Sequence, residues 1–378
     1  MTPSPLLDGL VPPPSRPTVD WPRAIEELAW LAALDGVPQD PIHHAEGDVL
    51  VHTRCVVEAL VADAEWQGLP AIDRRCLFWA ALLHDVAKPA CTRIEPDGRI
   101  RAPGHSARGQ IVARGILWRM GMPFAEREWV CHLVTHHQRP LFLVERADAA
   151  WRARQISWQT RCDWLSILAR ADVEGRICPE PRRLLDNVAL FREVCRDAGC
   201  LEAPAPFASD HARFSYFRDP TSDGSHEPFD ATRGELVLLC GMPGAGKDRW
   251  LECHSADAEV VSLDDLRESL DVAPDSDQTR VVVAAREAAK VALRGGRRLV
   301  WNATNVSRWI RRGIIDLGHD YGARIRIVYL EAPEATIRAR LRRRERKVPE
   351  GVFARMLERW EAPDPTECHR LDLLVEDP

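Results

Sequence analysis

Apolar residues recur at helical spacing through the first half of the chain. Between Trp21 and about Ala198, Leu, Ile, Val and Trp return every three or four positions, while Gly and Pro fall between the periodic stretches. This pattern is typical of amphipathic helices. The stretches are 48–66, 73–86, 106–120, 125–137 and 159–174. Because no strand pattern interrupts them, we expect residues 21–205 to form an all-α domain.

The second half of the chain alternates between strand and helix patterns. It contains short apolar runs, and helical patterns lie between the first four of them. The runs are 234–240, 259–264, 297–304, 324–332 and 371–376. Such alternation is typical of a parallel sheet flanked by helices. We therefore expect an α/β domain over residues 233–378.

Two other stretches carry neither pattern. Residues 1–20 are rich in proline and are expected to form an arm or loop. Residues 206–232 mix proline with small polar residues, and we interpret them as the connector between the domains. The connector contains an aromatic and basic patch, 213–218. Packing between the domains is the favoured role for this patch, and contact with nucleic acid is the alternative.

The length of the chain agrees with two domains. At 378 residues it exceeds the size at which one hydrophobic core usually stops growing, about 250–300 residues. No run approaches the roughly 20 apolar residues that cross a bilayer, and the start lacks the basic-then-apolar order of a signal peptide. We therefore expect a cytoplasmic protein without a membrane partner.

The spacing of the cysteines and the net charge limit which metal ligands and which nucleic-acid contacts are to be expected. The 11 cysteines are scattered singly, without a C-x-x-C pair, which is more typical of reduced core thiols than of a disulfide framework or a zinc-thiolate site. Any metal is therefore expected on His and Asp side chains. The formal net charge is -6, so nucleic acid would have to be held by local basic clusters.

A glycine-rich loop follows the first apolar run of the second half. The run leads into G-M-P-G-A-G-K-D, which satisfies G-x-x-x-x-G-K. Glycines let successive backbone amides face one phosphate, the following helix adds its positive end, and the lysine reaches the transferring group. We expect this loop to bind ATP or another nucleoside triphosphate with Mg²⁺. Its residues are Gly241, Gly244, Ala245, Gly246, Lys247 and Asp248.

Two carboxylates of this half are open to more than one interpretation. Asp248 stands where Ser or Thr normally offers a hydroxyl to Mg²⁺; a carboxylate is also a hard ligand, but it adds negative charge beside the phosphates. Asp264 follows the second apolar run, at the carboxyl edge of the expected sheet. A general base at that edge would accept the proton of an attacking hydroxyl, but the position also suits a helix cap.

The order of these motifs resembles the polynucleotide kinase branch of the P-loop phosphotransferases. The matching stretches are G-M-P-G-A-G-K, S-L-D-D-L-R, W-N-A-T-N and an arginine-rich helix closing on K-V-P-E-G-V-F-A-R-M. The resemblance implies that Asp264 is the general base toward a 5′-OH and that Arg267 contacts the acceptor phosphate. Asn302 departs from the pattern, because related kinases usually have Asp there, and this puts a metal or water role for the position in doubt.

The same resemblance implies a lid with two arginines four residues apart ahead of a Val-Pro pair. Arg340 and Arg344 have this spacing before Val348 and Pro349. An arginine fork can hold phosphoryl oxygens as charge spreads in the transition state. Other arginines close by leave the choice open, and a solvated basic helix face is the alternative for most of them. They are Arg342, Arg343 and Arg346.

A series of His and Asp residues runs through the first half. One histidine on an apolar helix is usually a core residue, but a series is harder to explain in that way. Adjacent His and Asp can converge on one metal ion from a helix edge, and a carboxylate can bridge to a second ion. The series comprises His52, His84, Asp85, His105, His136, His137 and Asp172.

The local sequence around these residues resembles the HD superfamily of metal phosphohydrolases, including the HD domains joined to some tRNA nucleotidyltransferases. The matching stretches are A-A-L-L-H-D-V-A-K-P, A-P-G-H-S-A-R-G and L-V-T-H-H. The resemblance implies two divalent transition metals such as Mn²⁺, Co²⁺ or Ni²⁺. The implied ligands are His52, His84, Asp85 and Asp172 for the first ion, and His105 with His137 for the second, with Asp85 bridging.

Two assignments within this resemblance have alternatives. His137 is preferred to His136 because it lies four residues after Leu133, the usual register of L-V-x-x-H. Lys88, in the H-D-x-x-K position, would balance the charge of a substrate phosphate, but a lysine at a helix end also neutralises the helix dipole.

The domain order resembles the bacterial HD-Pnk family of RNA-repair enzymes across nearly the whole chain. The resemblance implies a kinase for 5′-OH ends and a hydrolase for 2′-phosphate, 3′-phosphate or 2′,3′-cyclic phosphate, with RNA ends as the favoured substrate and an RNA ligase as a partner in the pathway. One alternative is an HD nucleotidase or phosphodiesterase fused to a small-molecule kinase. Another is a non-catalytic nucleotide sensor, which intact Lys247 and the full HD ligand set argue against.

Overall fold

In the computed structural model, described over residues 4–222, 224, 227–273, 276–344 and 348–376, the helical and the α/β patterns fall into separate units. The first unit is Met1–Pro206 and the second is Phe207–Pro378. In the described part of the chain, no helix is long and apolar enough to cross a membrane.

The first unit is helical, as the sequence predicts. Its helices are α1 (Leu6–Gly9), α2 (Trp21–Glu27), α3 (Ala29–Ala32), α4 (Val49–Ala62), α5 (Ala64–Gly68), α6 (Ala71–Leu83), α7 (Lys88–Cys91), α8 (His105–Arg119), α9 (Phe124–His136), α10 (Arg139–Phe142), α11 (Ala149–Ser157), α12 (Cys162–Glu174) and α13 (Pro181–Asp197), with a 3-10 turn at Leu143–Glu145. The predicted helix 48–66 is divided at Asp63, whose backbone is extended and whose side chain accepts a hydrogen bond from Trp66 N.

One prediction for this unit was wrong. An antiparallel hairpin, β1 (Arg93–Ile94) with β2 (Ile100–Arg101), interrupts the helices, where the sequence predicted no strand. A strand of two residues is too short to produce a detectable alternation of apolar and polar positions.

Helix α6 lies inside the first unit, since every residue from Cys76 to Leu83 is buried. Phe78 and Trp79 are among the largest fully buried side chains. Burial of one large apolar side chain contributes about 1.5–3 kcal/mol, so this helix is firmly placed. It ends where His84 and Asp85 begin, and it therefore carries this pair into the interior.

The proline-rich arm contains helix α1 and packs on α6. Leu7 and Leu10 are buried, and Trp79 Nε1 donates a hydrogen bond of 3.0 Å to Leu7 O. Asp8 also forms a 2.6 Å ion pair with Arg75. These contacts hold the arm against the core of the first unit. The composition of the arm alone did not indicate this packing.

The second unit is an α/β fold with a parallel sheet, as the sequence predicts. Its elements are α14 (Asp210–Arg218), β3 (Glu235–Cys240), α15 (Lys247–His254), β4 (Glu259–Ser262), α16 (Leu263–Ser269), α17 (Thr279–Arg294), β5 (Arg298–Asn302), α18 (Arg308–Asp320), β6 (Arg324–Glu331), α19 (Glu334–Arg343), α20 (Glu350–Leu357) and β7 (Arg370–Val375), with a 3-10 turn at Pro365–Glu367. Among the described residues the strands run parallel in the order β4-β5-β3-β6-β7. All of them end at one edge, where ligands of open α/β sheets bind.

The predicted connector, 206–232, includes an ordered helix of the second unit. Ser209 caps α14 by accepting a hydrogen bond of 3.1 Å from Ala212 N. The Arg213 guanidinium donates to the carbonyl oxygens of Cys368 (3.2 Å) and His369 (2.7 Å), and Phe214 is buried. The aromatic and basic patch therefore packs within the second unit, which neither interpretation from the sequence had foreseen.

A buried ion pair ties α18 to the 3-10 turn before β7. Arg311 is fully buried, and its Nε and NH2 atoms each lie 2.8 Å from the carboxylate of Glu367. Its NH1 donates to Glu361 O at 2.7 Å. Burial opposes the charged guanidinium, but the Glu367 carboxylate raises the pKa of Arg311 above its ordinary value.

Replacement of Arg311 by Met should destabilise the second unit strongly. The change leaves the buried Glu367 carboxylate without its partner, and such a loss costs about 3–5 kcal/mol. Arg312→Met is the matched control, because its side chain is 80% exposed and the change should alter stability by less than about 0.5 kcal/mol. Hydrogen exchange of the β3 amides in the full chain measures both. Equal protection in the two variants would contradict the prediction.

Candidate metal centre and phosphate-binding loop

The His and Asp series of the first unit converges in the interior. His52 comes from α4, His84 and Asp85 follow α6, and His105 begins α8. His137 follows α9, and Asp172 lies in α12. All six side chains are buried. Residues that are distant in sequence therefore meet at one place, although water would solvate each of them better individually.

The two carboxylate oxygens of Asp85 face different histidines. Asp85 Oδ2 lies 3.2 Å from His84 Nε2 and 3.8 Å from His52 Nε2. Asp85 Oδ1 lies 3.4 Å from His105 Nε2 and 3.9 Å from His137 Nε2. Asp85 is therefore placed between two sets of ligand atoms, which is the position of a bridging carboxylate.

The backbone fixes the orientation of three of these imidazoles. His84 Nδ1 lies 2.7 Å from Ala81 O, His105 Nδ1 lies 2.7 Å from Ala102 O, and His137 Nδ1 lies 2.8 Å from Val134 O. A carbonyl oxygen can only accept, so each Nδ1 carries a proton and each Nε2 faces Asp85. This arrangement is usual for histidines that bind metal.

His52 has the same orientation but a carboxylate partner. Its Nδ1 lies 2.8 Å from Glu46 Oε1, and its Nε2 lies 3.1 Å from Asp172 Oδ1. Glu46 also lies 2.8 Å from His44 Nδ1, and its other oxygen accepts from Ile177 N. Glu46 could not be selected from the sequence, because its contact with His52 depends on the fold.

Two further groups at the centre balance charge. Arg176 donates to both oxygens of Asp172 at 2.8 Å, and this contact was not predicted. Lys88 is buried, with its Nζ 2.6 Å from Asp85 Oδ2 and 2.5 Å from Gln39 Oε1. Burial opposes the charged form of Asp85, but Lys88 and then His84 hold the pKa of that carboxyl well below its ordinary value.

The donor set fits metal ions. His84 Nε2, His137 Nε2 and both oxygens of Asp85 are buried without a hydrogen bond of good geometry in the described part of the chain. Two overlapping groups of ligand atoms, each with all atoms within 4.8 Å of one another, share Asp85. They are His52, His84 and Asp85, and Asp85, His105 and His137. Asp85 Oδ2 faces the Lys88 ammonium, and metal coordination would satisfy the remaining lone pairs of these buried atoms.

The neighbouring histidines His136 and His137 have different surroundings. His136 Nε2 lies 2.7 Å from Gln159 Oε1, whereas His137 Nε2 faces Asp85. Burial and the nearby His84 lower the pKa of His137 to about 3, so its imidazole is neutral and able to bind metal at physiological pH. The structure thus places His137 in the cluster and His136 beside Gln159.

The glycine-rich loop of the second unit has the backbone that its sequence requires. Gly241, Gly244 and Gly246 have φ values of 149, 83 and 112°, which L-residues with a side chain rarely adopt. Gly241 N donates to Thr304 O at 2.9 Å. Lys247 Nζ donates to the carbonyl oxygens of Gly241 (2.8 Å) and Met242, and burial lowers its pKa to about 8.

Asp264 and Arg267 lie after β4 at the same edge of the sheet and pair with each other. Arg267 Nε also donates to Gln278 Oε1 at 2.7 Å. Helix α16 is capped by Ser262, which accepts from Asp265 N, so Asp264 is not needed as its cap. Asn302 is the last residue of β5.

The two arginines that the sequence assigns to a lid both contact the glycine-rich loop. Arg340 NH1 donates to Gly244 O at 3.3 Å, and its NH2 lies 2.7 Å from Glu376. Arg344 NH2 lies 2.7 Å from Asp248 Oδ2. The residue that replaces the usual Ser or Thr therefore pairs with a lid arginine. Arg346 lies outside the described residues.

Comparison with protein families supports a kinase-type second unit. Residues 236–363 match the family model described as AAA domain. Together with the loop and the parallel sheet, this match gives the unit a P-loop kinase fold, of a class that uses a nucleoside triphosphate with Mg²⁺.

Solved structures with local likeness include an unliganded sugar kinase from Janibacter sp. HTCC2649, 19% identical, covering 38% of this chain and 85% of that one at a TM-score of 0.31. The Pnkp1/Rnl/Hen1 RNA repair complex is 18% identical, with 36% and 46% coverage and a TM-score of 0.31. TM-scores this low do not by themselves establish a common fold.

Curated relatives carry the names of tRNA-processing proteins. The chain is 38% identical over 128 residues to the Multifunctional CCA protein of Halorhodospira halophila, covering 32% of this chain and 28% of the relative. It is 30% identical over 173 residues to the CC-adding tRNA nucleotidyltransferase of Thermus thermophilus, covering 45% and 37%. The chain thus spans well under half the length of these relatives.

Replacement of Glu46 by Gln should weaken metal binding at the first unit. The change removes the charge that keeps His52 oriented, and loss of such a partner typically costs about 10–100-fold in metal affinity. Chelator-competition titration with Mn²⁺ measures the affinity. Glu58→Gln is the control, because Glu58 lies in α4 with His52 but accepts a hydrogen bond from Trp21 Nε1 instead. Equal Mn²⁺ affinities in the two variants would show that Glu46 does not position His52.

Replacement of Gly241 by Ala should abolish nucleotide binding by the second unit. A Cβ at this position would overlap the carbonyl oxygen of Leu330, so the loop would have to move away from β6. Gly322→Ala is the control, since Gly322 also has positive φ but meets nothing within 4 Å. Equilibrium binding of a fluorescent nucleotide measures the effect, and normal affinity in Gly241→Ala would contradict this account of the loop.

Proposed function

We propose that this chain is a bifunctional enzyme that heals RNA ends: a 5′-OH polynucleotide kinase in the second unit and an HD-type metal phosphohydrolase in the first. The proposal rests on one observation. Each unit brings together its own set of side chains suited to chemistry on phosphate groups. One set surrounds the buried Asp85, and the other lies at the carboxyl edge of the β3–β7 sheet.

For the first unit, His52, His84, Asp85 and Asp172 would hold one metal ion, and His105 and His137 would hold a second, with Asp85 shared. Paired metals lower the pKa of a bound water and stabilise the attacking and leaving oxygens of a phosphoester. The partners of Nδ1 keep each Nε2 directed toward the metal site. Lys88 contributes positive charge beside Asp85, where a substrate phosphate would add negative charge.

For the second unit, the loop from Gly241 to Asp248 would hold the triphosphate, and Lys247 would exchange its carbonyl partners for phosphoryl oxygens. Asp264 would accept the proton of the 5′-OH as that oxygen attacks the γ-phosphorus. Its ion pair with Arg267 has to open first, which frees the guanidinium for the acceptor phosphate.

Arg340 and Arg344 already contact the loop, and both would hold the transferring phosphoryl group. Asp248 would become available to Mg²⁺, directly or through water, when Arg344 turns to the phosphates.

RNA is the favoured substrate because the names of the curated relatives include tRNA nucleotidyltransferase. Products with 5′-phosphate and 3′-OH ends are those that a ligase joins, so an RNA ligase is the expected partner in the pathway. A cytoplasmic location remains our expectation from the sequence.

The two activities should be separable by single substitutions. Lys247→Ala or Asp264→Asn should reduce phosphoryl transfer to a 5′-OH RNA by at least about 100-fold, since a positioned base contributes about 10²–10⁴-fold, while cleavage of a 2′,3′-cyclic phosphate persists. Asp85→Asn should do the reverse. End-labelled RNA resolved by gel electrophoresis measures both reactions in one mixture.

Surface variants serve as controls for the separation. Lys290→Ala and Asp257→Asn alter residues in surface ion pairs and should leave both activities intact. If folded Asp85→Asn lost both activities, two independent sites would be the wrong description. Transfer to free nucleosides but not to RNA would instead favour a small-molecule kinase joined to an HD nucleotidase.

A further inference from the structure

Three buried cysteines come together in the first unit, away from the Asp85 cluster. Cys162 is the first residue of α12, Cys195 lies near the end of α13, and Cys200 follows that helix. All three are fully buried, and their Sγ atoms lie within 4.8 Å of one another. The sequence did not predict this group, because the cysteines are singly spaced and the fold alone brings them together.

The backbone holds the three positions together. Cys200 N donates to Cys195 O at 2.8 Å, and Asp163 N donates to Leu201 O at 2.9 Å. The first bond closes the turn after α13, and the second fixes that turn against the first residues of α12. The sulfur atoms therefore meet because of main-chain geometry rather than the choice of a flexible rotamer.

The three thiols interact with one another. Hydrogen bonds with Cys195 and Cys200, and then burial, raise the pKa of Cys162 well above its ordinary value. Hydrogen bonds from Cys162 and Cys195 lower the pKa of Cys200, against the effect of burial. For Cys195, the hydrogen bond with Cys162 acts in the opposite direction, but the bond with Cys200 and burial raise the pKa. A cation is therefore needed to bring all three sulfurs to the thiolate form together.

We propose that Cys162, Cys195 and Cys200 form a structural site for one thiophilic d¹⁰ metal ion, held by three thiolates. A zinc–sulfur bond is about 2.3 Å, so two sulfurs on one ion lie roughly 4 Å apart, within the observed limit. In the described part of the chain this group contains no imidazole or carboxylate. Soft sulfur ligands select soft ions over Mg²⁺ or Mn²⁺.

The binding step involves no change of oxidation state. Counted from three neutral thiols, a divalent ion M²⁺ forms three M–S bonds and displaces three protons to solvent, so the complex carries a single negative charge; any sulfur that is already ionised releases no proton. Arg154 lies close enough to offset part of that charge. A disulfide would need an external oxidant and would leave one of the three sulfurs without a role.

The site would fix the end of α12 opposite to the catalytic cluster. Helix α12 begins at Cys162 and carries Asp172 close to its other end. An ion that ties this helix start to the turn after α13 would hold Asp172 in place from a distance. Metal binding of this kind adds directly to the free energy of folding.

Cadmium is the probe that tests this site. The full-length protein is reduced, stripped with chelator and titrated with Cd²⁺, and the sulfur-to-cadmium charge-transfer band and cadmium NMR are followed. We expect one sulfur-bound ion per chain. Cys162→Ser, Cys195→Ser and Cys200→Ser should each lose the charge-transfer band and the sulfur-bound cadmium resonance.

Two controls separate this site from other metal binding. Cys76→Ser removes another buried thiol of the same unit and should keep the signal, and so should Asp85→Ala, which disrupts the histidine cluster. Absence of the charge-transfer band in the wild-type protein overturns the proposal, without reference to how any variant folds. A mass two hydrogens low in the untreated protein would show a disulfide and would overturn it also.

Discussion

The buried carboxylate of Asp85 is the constraint on which the first unit depends. An isolated carboxylate in a protein interior is very unfavourable, and α6 carries this one to the centre of a helical unit. It is tolerated because Lys88 lies 2.6 Å away and because histidines from four helical segments surround it. The helices of the unit are arranged so that those side chains meet at one carboxylate.

The second unit depends on a different constraint, the close approach of its glycine-rich loop to the backbone of β6. Gly241 leaves β3 so near to Leu330 that a Cβ does not fit. The other candidate side chains then follow from topology, because parallel strands end at one edge. Asp264 follows β4 and Asn302 ends β5. Arg340 in α19 and Arg344 just after that helix contact residues of the loop.

The sequence predicted the helices of the first unit and the strands of the second because both depend on periodic burial. It did not predict the β1–β2 hairpin, which is too short to have a period, or helix α14, which the prolines and polar residues of 206–232 concealed. Residues in recognisable local motifs, such as His84 and Asp85, were identified. Glu46 and the three clustered cysteines were not, since their contacts join segments distant in sequence.

We infer that the Asp85 carboxylate would be shared by two metal ions. Anomalous diffraction from crystals of the full chain grown with Mn²⁺ would locate them. We expect two peaks beside the Asp85 carboxylate, one near His52, His84 and Asp172 and the other near His105 and His137. A single peak that Asp85 does not contact, or no peak among these residues, would contradict it.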